Sequence, residues 1–192
     1  MKTIAKSLFF ALPLILVPCV FAQHRTFTVN PDSSAVAFSL GGNFHHVDGT
    51  FHVQSGSIDF DSSAATISGS VVVAAGSGNS GDKGRDKAMN KDVLDVTHFA
   101  EVSFVPKSFQ GAIAASGDST VQVTGTFTLH GTPHELTVPM QLHIDGTNLT
   151  AKTHFMVPYV QWGLKDPSIF IAKVAKEVGI DLTLVGSLSP AN

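Results

Sequence analysis

Val121-Gln122-Val123-Thr124-Gly125-Thr126-Phe127-Thr128-Leu129 puts an apolar residue or glycine at every odd position and a polar one at every even position. A second run, Leu136-Thr137-Val138-Pro139-Met140-Gln141-Leu142-His143-Ile144, sets apolar residues against Thr, Pro, Gln and His in the same rhythm. Period two is the mark of a strand with one dry and one wet face, whereas a helix would repeat every 3.6 residues. Gly131-Thr132-Pro133 marks a turn between the runs, so the pair predicts an antiparallel hairpin.

The rhythm extends both ways. Leu149, Ala151, Thr153, Phe155 and Val157 alternate with Thr150, Lys152, His154 and Met156, and Ile180, Leu182, Leu184 and Gly186 with Asp181, Thr183, Val185 and Ser187. Shorter versions occur at Thr26–Val29, Val36-Phe38-Leu40, Phe51-Val53, Ile58-Phe60, Ile67–Val73 and Val102-Phe104. Turn signals at Asn30-Pro31-Asp32-Ser33, Gly41-Gly42-Asn43 and Asp145-Gly146-Thr147 punctuate them. This predicts an all-β chain: a single antiparallel β-barrel of about eight strands. Closure is favoured over a sandwich because a chain with 14% charged residues has few side chains to guard open edges.

Two stretches break the rhythm and predict one or two short helices. Residues 82–90 are charged and lack β-branching. Further on, Asp166 can cap a helix with Pro167 at its first position. Phe170, Ile171, Val174, Ala175 and Val178 would form its apolar stripe and Gly179 its end, as a plug or a lid on the barrel.

The 192 residues are 43% hydrophobic with 17 glycines, a composition for one packed domain and not for a disordered chain or coiled coil. The formal net charge is −3, without a cluster of Lys or Arg, so no nucleic-acid partner is expected. An outer-membrane barrel would need aromatic girdles at both interfaces. One Trp (Trp162) and one Tyr (Tyr159) cannot build them.

Residues 1–22 read as a secretory signal peptide. Lys2 and Lys6 precede an apolar run over 8–17, and Val20-Phe21-Ala22 supplies a small-residue cleavage pattern. A membrane-spanning helix needs about 20 apolar residues, and Pro13 and Pro18 interrupt this segment. Cys19 raises lipidation as a minor alternative, against which Pro18 stands where a small residue is needed. Cleavage after Ala22 leaves residues 23–192 as the domain, with no cysteine and hence no disulfide. The expected location is periplasmic or secreted.

Side chains that carry chemistry are scarce in pattern. Of nine histidines, His45, His46 and His52 are close in sequence, and His130 and His134 flank a turn. Neither spacing forces the three or four ligands of a zinc site to converge, so no metal is expected. There is no Gly-x-Ser-x-Gly elbow and no phosphate loop. Asp59, Asp61, Asp92 and Asp95 suit solvated turns. The expectation is a binding protein without cofactor or catalytic residues. A histidine-based metal-dependent enzyme is one rival; an envelope or stress protein with a filled barrel is the other.

The interior is what remains. Inward alternation gives a lining of Phe38, Phe104, Val123, Phe127, Val138, Met140, Leu142 and Phe155, with Arg85 and Phe170 at the rim. Such a wall suits a hydrocarbon chain, each buried methylene contributing ~0.8 kcal/mol. Arg85 would meet a polar end of the ligand or, structurally, pair with a carboxylate and pin the 82–90 excursion.

Longer motifs add a family resemblance. Arg85-Asp86-Lys87-Ala88-Met89, Val93-Leu94-Asp95 and His98-Phe99-Ala100-Glu101-Val102-Ser103-Phe104 resemble the Arg-Asp segment of YceI-like proteins. So does the stretch from Gly125 through His130-Gly131-Thr132-Pro133-His134-Glu135 to Pro139. Asn30-Pro31-Asp32-Ser33, Val47-Asp48-Gly49-Thr50-Phe51 and Trp162-Gly163-Leu164-Lys165-Asp166-Pro167-Ser168 follow the family order. The resemblance implies an extended, lipocalin-like barrel exported to the bacterial periplasm, holding a polyisoprenoid or similar long-chain lipid. The chain departs from the family at Ala100, where proline is common, and at Gly41-Gly42-Asn43-Phe44, which replaces a His-Leu stretch.

Overall fold

The computed structural model describes residues 24–43, 46–168 and 173–190. The segment read as a signal peptide lies outside them, as do His45 and Phe170. Among the described residues the nine antiparallel strands are β1 (His24–Val29), β2 (Ala35–Leu40), β3 (Val47–Asp61), β4 (Thr66–Asn79), β5 (Glu101–Gln110), β6 (Gly117–Leu129), β7 (Thr132–Asp145), β8 (Asn148–Val157) and β9 (Val178–Pro190). One short helix, α1 (Lys83–Ala88), runs on into a π-helical turn at Met89–Val93. No helix among the described residues is long and apolar enough to cross a membrane.

Nine strands make a closed eight-stave barrel, because β1 and β2 share one stave. Both pair with β3 on one side and β9 on the other: Phe27 faces Ile58 and Leu188, and Phe38 faces Gly49 and Ile180. The Asn30-Pro31-Asp32-Ser33 signal therefore does not reverse the chain. Its 3₁₀ turn (Pro31–Ser33) bulges out of a continuing stave. Asn30 N–H donates to the Val185 carbonyl (2.8 Å) and Val185 N–H to Ser34 Oγ (3.0 Å), which keeps β9 bonded across the bulge. Pairing of β3 with β4 closes the ring.

The hairpin that decides the fold turns at His130 (φ 52°) and Gly131 (φ 72°). Two consecutive left-handed residues match the twist of the flanking strands. Thr132 and Pro133, expected in the turn, instead begin β7 opposite Leu129 and Thr128.

Phe51-Val53 and Ile58-Phe60 read as separate strands because their inward residues have opposite parity. Both belong to β3, where register shifts near Thr50/His52 and Val53/Ser55 supply extra residues and change which parity faces inward. A shift at Pro106/Ser108 does the same in β5, so Phe104 and Phe109 both face the interior.

The expected helix over 166–178 does not form in its described residues. Asp166 Oδ1 accepts from Ser168 N–H (2.8 Å) in a local turn, without a helix behind it. Asn43 N–H donates to the Lys173 carbonyl (3.0 Å) and Ala175 N–H to the Gly41 carbonyl (2.7 Å), and Val178 already starts β9. Backbone groups that a helix would satisfy internally are satisfied across the chain instead.

Buried clusters mark both ends of the barrel. Phe27, Phe60, Ile144, Leu149 and Leu188 form one buried cluster near the β3–β4 and β7–β8 turns. Leu129, Val157, Tyr159 and Leu164 form another at the opposite end, beside the α1 excursion and the 173–178 stretch.

Candidate functional site: an apolar cavity in the barrel

Between those ends the barrel is hollow. A cavity of about 710 Å³ runs through it, lined from every stave. That volume falls within the ~300–1,000 Å³ usual for ligand pockets. Phe38, Phe104, Val123, Phe127, Val138, Met140, Leu142 and Phe155 all line it. Phe127 stands edge-on to Phe155 with ring centroids 6.0 Å apart, and Trp162 tilts against Phe127 at 5.8 Å.

The cavity stays open because its walls mix bulk with gaps. Gly125 and Ala151 take inward positions beside phenylalanines. A Cβ at Gly125 would meet the Val105 carbonyl at 2.5 Å and Phe104 Cζ at 2.6 Å. The tip of the Phe104 ring thus occupies the space a side chain at Gly125 would take.

Apart from Ser103 and Thr153, the polar lining residues gather at the mouth. Ser80, Arg85 and Asp92 come from the excursion, and Lys165, Asp166 and Ser168 from the segment after β8. Asp82 caps α1 by accepting from Arg85 N–H (2.8 Å), so the helix start positions the guanidinium. Arg85 then donates from Nε to Ser80 Oγ (2.8 Å) and from a terminal nitrogen to the Ser80 carbonyl (2.7 Å). The carboxylate partner expected for Arg85 is absent among the described residues, and a serine takes its place. Asp86 accepts from the same Ser80 through Oγ (2.5 Å) and N–H (2.8 Å). Those bonds, with the adjacent Arg85 charge, hold its carboxyl below the usual 3.8. Ser168 side-chain and backbone bonds lower Asp166 likewise, helped by Lys176 and Lys173.

Tyr159 closes the mouth from the side. It is 5% exposed, and its hydroxyl donates to the Ala175 carbonyl (2.7 Å). Burial pushes its phenol up to about 12, with the Asp166 charge adding to the shift. Tyr159, Leu164, Met89 and Leu94 line the cavity although period two does not mark them. They sit outside regular strands, where alternation carries no signal. The Gly41-Gly42-Asn43 departure from the family pattern also lies here, where Gly42 bridges Val174.

Among the described residues, no histidine lines the cavity. His98 pairs with Asp95 (2.8 Å), His143 with Asp118 (2.7 Å), His154 with Asp181 (2.9 Å) and His46 with Asp48 (2.9 Å), all on the exposed surface. His134 stacks on Trp162 at 4.0 Å, and His130 packs on Phe99 at 4.2 Å. Among the described residues no group of three or more His, Cys, Asp or Glu could hold a metal ion. Asp61 accepts from Ser63 and Ala64 in the β3–β4 turn, which lowers its pKa.

Comparison with known proteins agrees with this architecture. The model of the YceI-like domain matches residues 27–186. A UPF0312 protein of Pseudomonas fluorescens (strain SBW25) is 29% identical over 153 residues, covering 74% of each chain. Among solved structures, BcnA of Burkholderia cenocepacia superposes with a TM-score of 0.66 at 25% identity, over 82% of this chain and 99% of that one. A polyisoprenoid binding domain from Saccharophagus degradans, implicated in plant cell wall breakdown, gives 0.63 at 14% identity, over 88% and 100%. The domain match spans the barrel from β1 to β9, and on that ground the chain belongs to the YceI-like family.

Proposed function

We propose that this protein holds a long apolar lipid, a polyisoprenoid or isoprenoid quinone, inside its barrel for sequestration or transport across an aqueous compartment. The cavity of about 710 Å³, walled by phenylalanine, valine, leucine and methionine, is the observation that carries the reading. It also weighs against a barrel filled by its own side chains. Affinity comes from removing hydrocarbon from water, at ~0.8 kcal/mol per methylene, so no directional contact is required along the chain. Specificity then rests on cavity length and width. A solved relative named for polyisoprenoid binding shares the barrel, which supports the ligand class.

Export belongs to the same proposal. Residues 1–22 carry the charge, the apolar run and the cleavage pattern of a secretory signal, which supports a location in the periplasm or outside the cell.

The test is expression with the native signal, gentle purification and mass spectrometry of both the chain and an organic extract. The expected result is a polypeptide beginning at Gln23 with stoichiometric isoprenoid. A protein that stays empty after incubation with isoprenoid lipids would overturn the carrier reading.

A further inference from the structure

Thr153 breaks the chemistry of the wall it belongs to. It occupies an inward position of β8, midway between Leu149 of one end cluster and Val157 of the other, beside the mouth, and it lines the cavity. At 8% exposure it is the one buried polar residue among the described residues. Its Oγ1 is buried and has no hydrogen-bond partner there. A hydroxyl left so is destabilising, and valine would fill the same shape without that cost.

The register explains why no protein group reaches it. The β7–β8 ladder ends at Gln141 opposite Lys152, and Thr153 is the next residue. Beyond that point β8 stays paired with β9, where Thr153 faces Leu182, while β7 continues beside β6 alone. The hydroxyl therefore stands where the wall splays and where the surrounding lining is apolar.

Building on the lipid-carrier reading, we propose that Thr153 is a specificity-determining residue whose hydroxyl donates to a neutral carbonyl oxygen of the bound lipid. The ligand's polar group then sits midway down the barrel instead of at the rim. A phosphate is a poor fit at that depth. The cations lining the cavity, Arg85 and Lys165, belong to the mouth segments, and a charge buried without a counter-ion is costly. A quinone carbonyl needs only one donor.

Displacement of diphenylhexatriene from the purified protein tests this with two probes, menaquinone-4 and the hydrocarbon phytane. Thr153→Val should weaken menaquinone-4 roughly fivefold, the loss of one neutral hydrogen bond, and leave phytane unchanged. Thr153→Ser should restore most of the menaquinone affinity. The ligand-free Val variant should melt no lower than the parent. Equal menaquinone affinity in the parent and the Val variant would overturn the proposal, and so would equal losses for both probes. A parent protein that binds neither probe would overturn the carrier reading itself, a result distinct from either of those.

Discussion

Arg85 closes its guanidinium fork on one residue, Ser80: Nε meets the hydroxyl at 2.8 Å and a terminal nitrogen meets the carbonyl at 2.7 Å. The pair ties α1 back to the end of β4, and Asp86 reaches the same serine from the other side. This geometry makes Arg85 a clasp on the excursion that frames the cavity mouth. Arg85→Ala should lower the melting temperature by roughly 2–4 °C, with or without lipid. Differential scanning calorimetry checks it. Unchanged melting with lost lipid retention would instead assign Arg85 to the ligand.

Acid should weaken the fold through three aspartates. Asp86, Asp61 and Asp166 all have carboxyls held below the usual 3.8 by serine and backbone bonds. A depressed folded-state pKa means the unfolded chain binds protons first as pH falls. The contribution is present above the ordinary aspartate range and is lost as pH drops through the lowered values. Urea midpoints should therefore decline below about pH 4, and Asp86→Asn should flatten part of that decline. An identical acid profile in the variant would remove Asp86 from the account.

Tyr159 is the only tyrosine, so phenolate absorbance reads it alone. Its midpoint should lie near 12 in the folded protein and near the ordinary 10 in denaturant. The raised value carries the opposite sign from the carboxylates. Its stability contribution is present below pH 10 and is lost as pH rises toward 12. A native midpoint of 10 would mean that the Tyr159–Ala175 contact opens in solution.

Gly125 is required by close approach, since its φ is not in the left-handed region. Replacement by valine would drive Cβ against the Val105 carbonyl and the Phe104 ring. The expected cost is about 2 kcal/mol or more, read from urea denaturation, because a backbone carbonyl cannot step aside as a side chain can. A valine variant of parental stability would show that β5 and β6 part readily.

Phe127 stands inside the barrel between Phe155 and Trp162. Phe127→Asp would bury a carboxylate without a partner and should abolish folding or lipid retention. Soluble protein loaded with lipid would show that this wall does not carry the ligand.

Alternation in the sequence determined most of the barrel. The inward faces of β6 through β9 follow from residues such as Val123, Met140, Phe155 and Leu184, because strand geometry is local and period two needs no neighbours. The eight lining residues read from it all face the cavity. Alternation also placed Thr153 on the apolar face, though it could not reveal a hydroxyl left unbonded.

Tertiary structure decided what local geometry cannot. Phe51 and Ile58 share one strand only because β3 bulges against β4. Asn30-Pro31-Asp32-Ser33 continues a stave instead of reversing it, because β3 and β9 offer partners on both sides of the bulge. The stripe at Val174 and Val178 has helical spacing, yet the backbone at 173–175 bonds to residues 41–43. Whether the barrel is hollow is likewise not a property of any strand. It depends on how glycine, alanine and phenylalanine from opposite staves meet across the axis, and those distances exist only once the ring has closed.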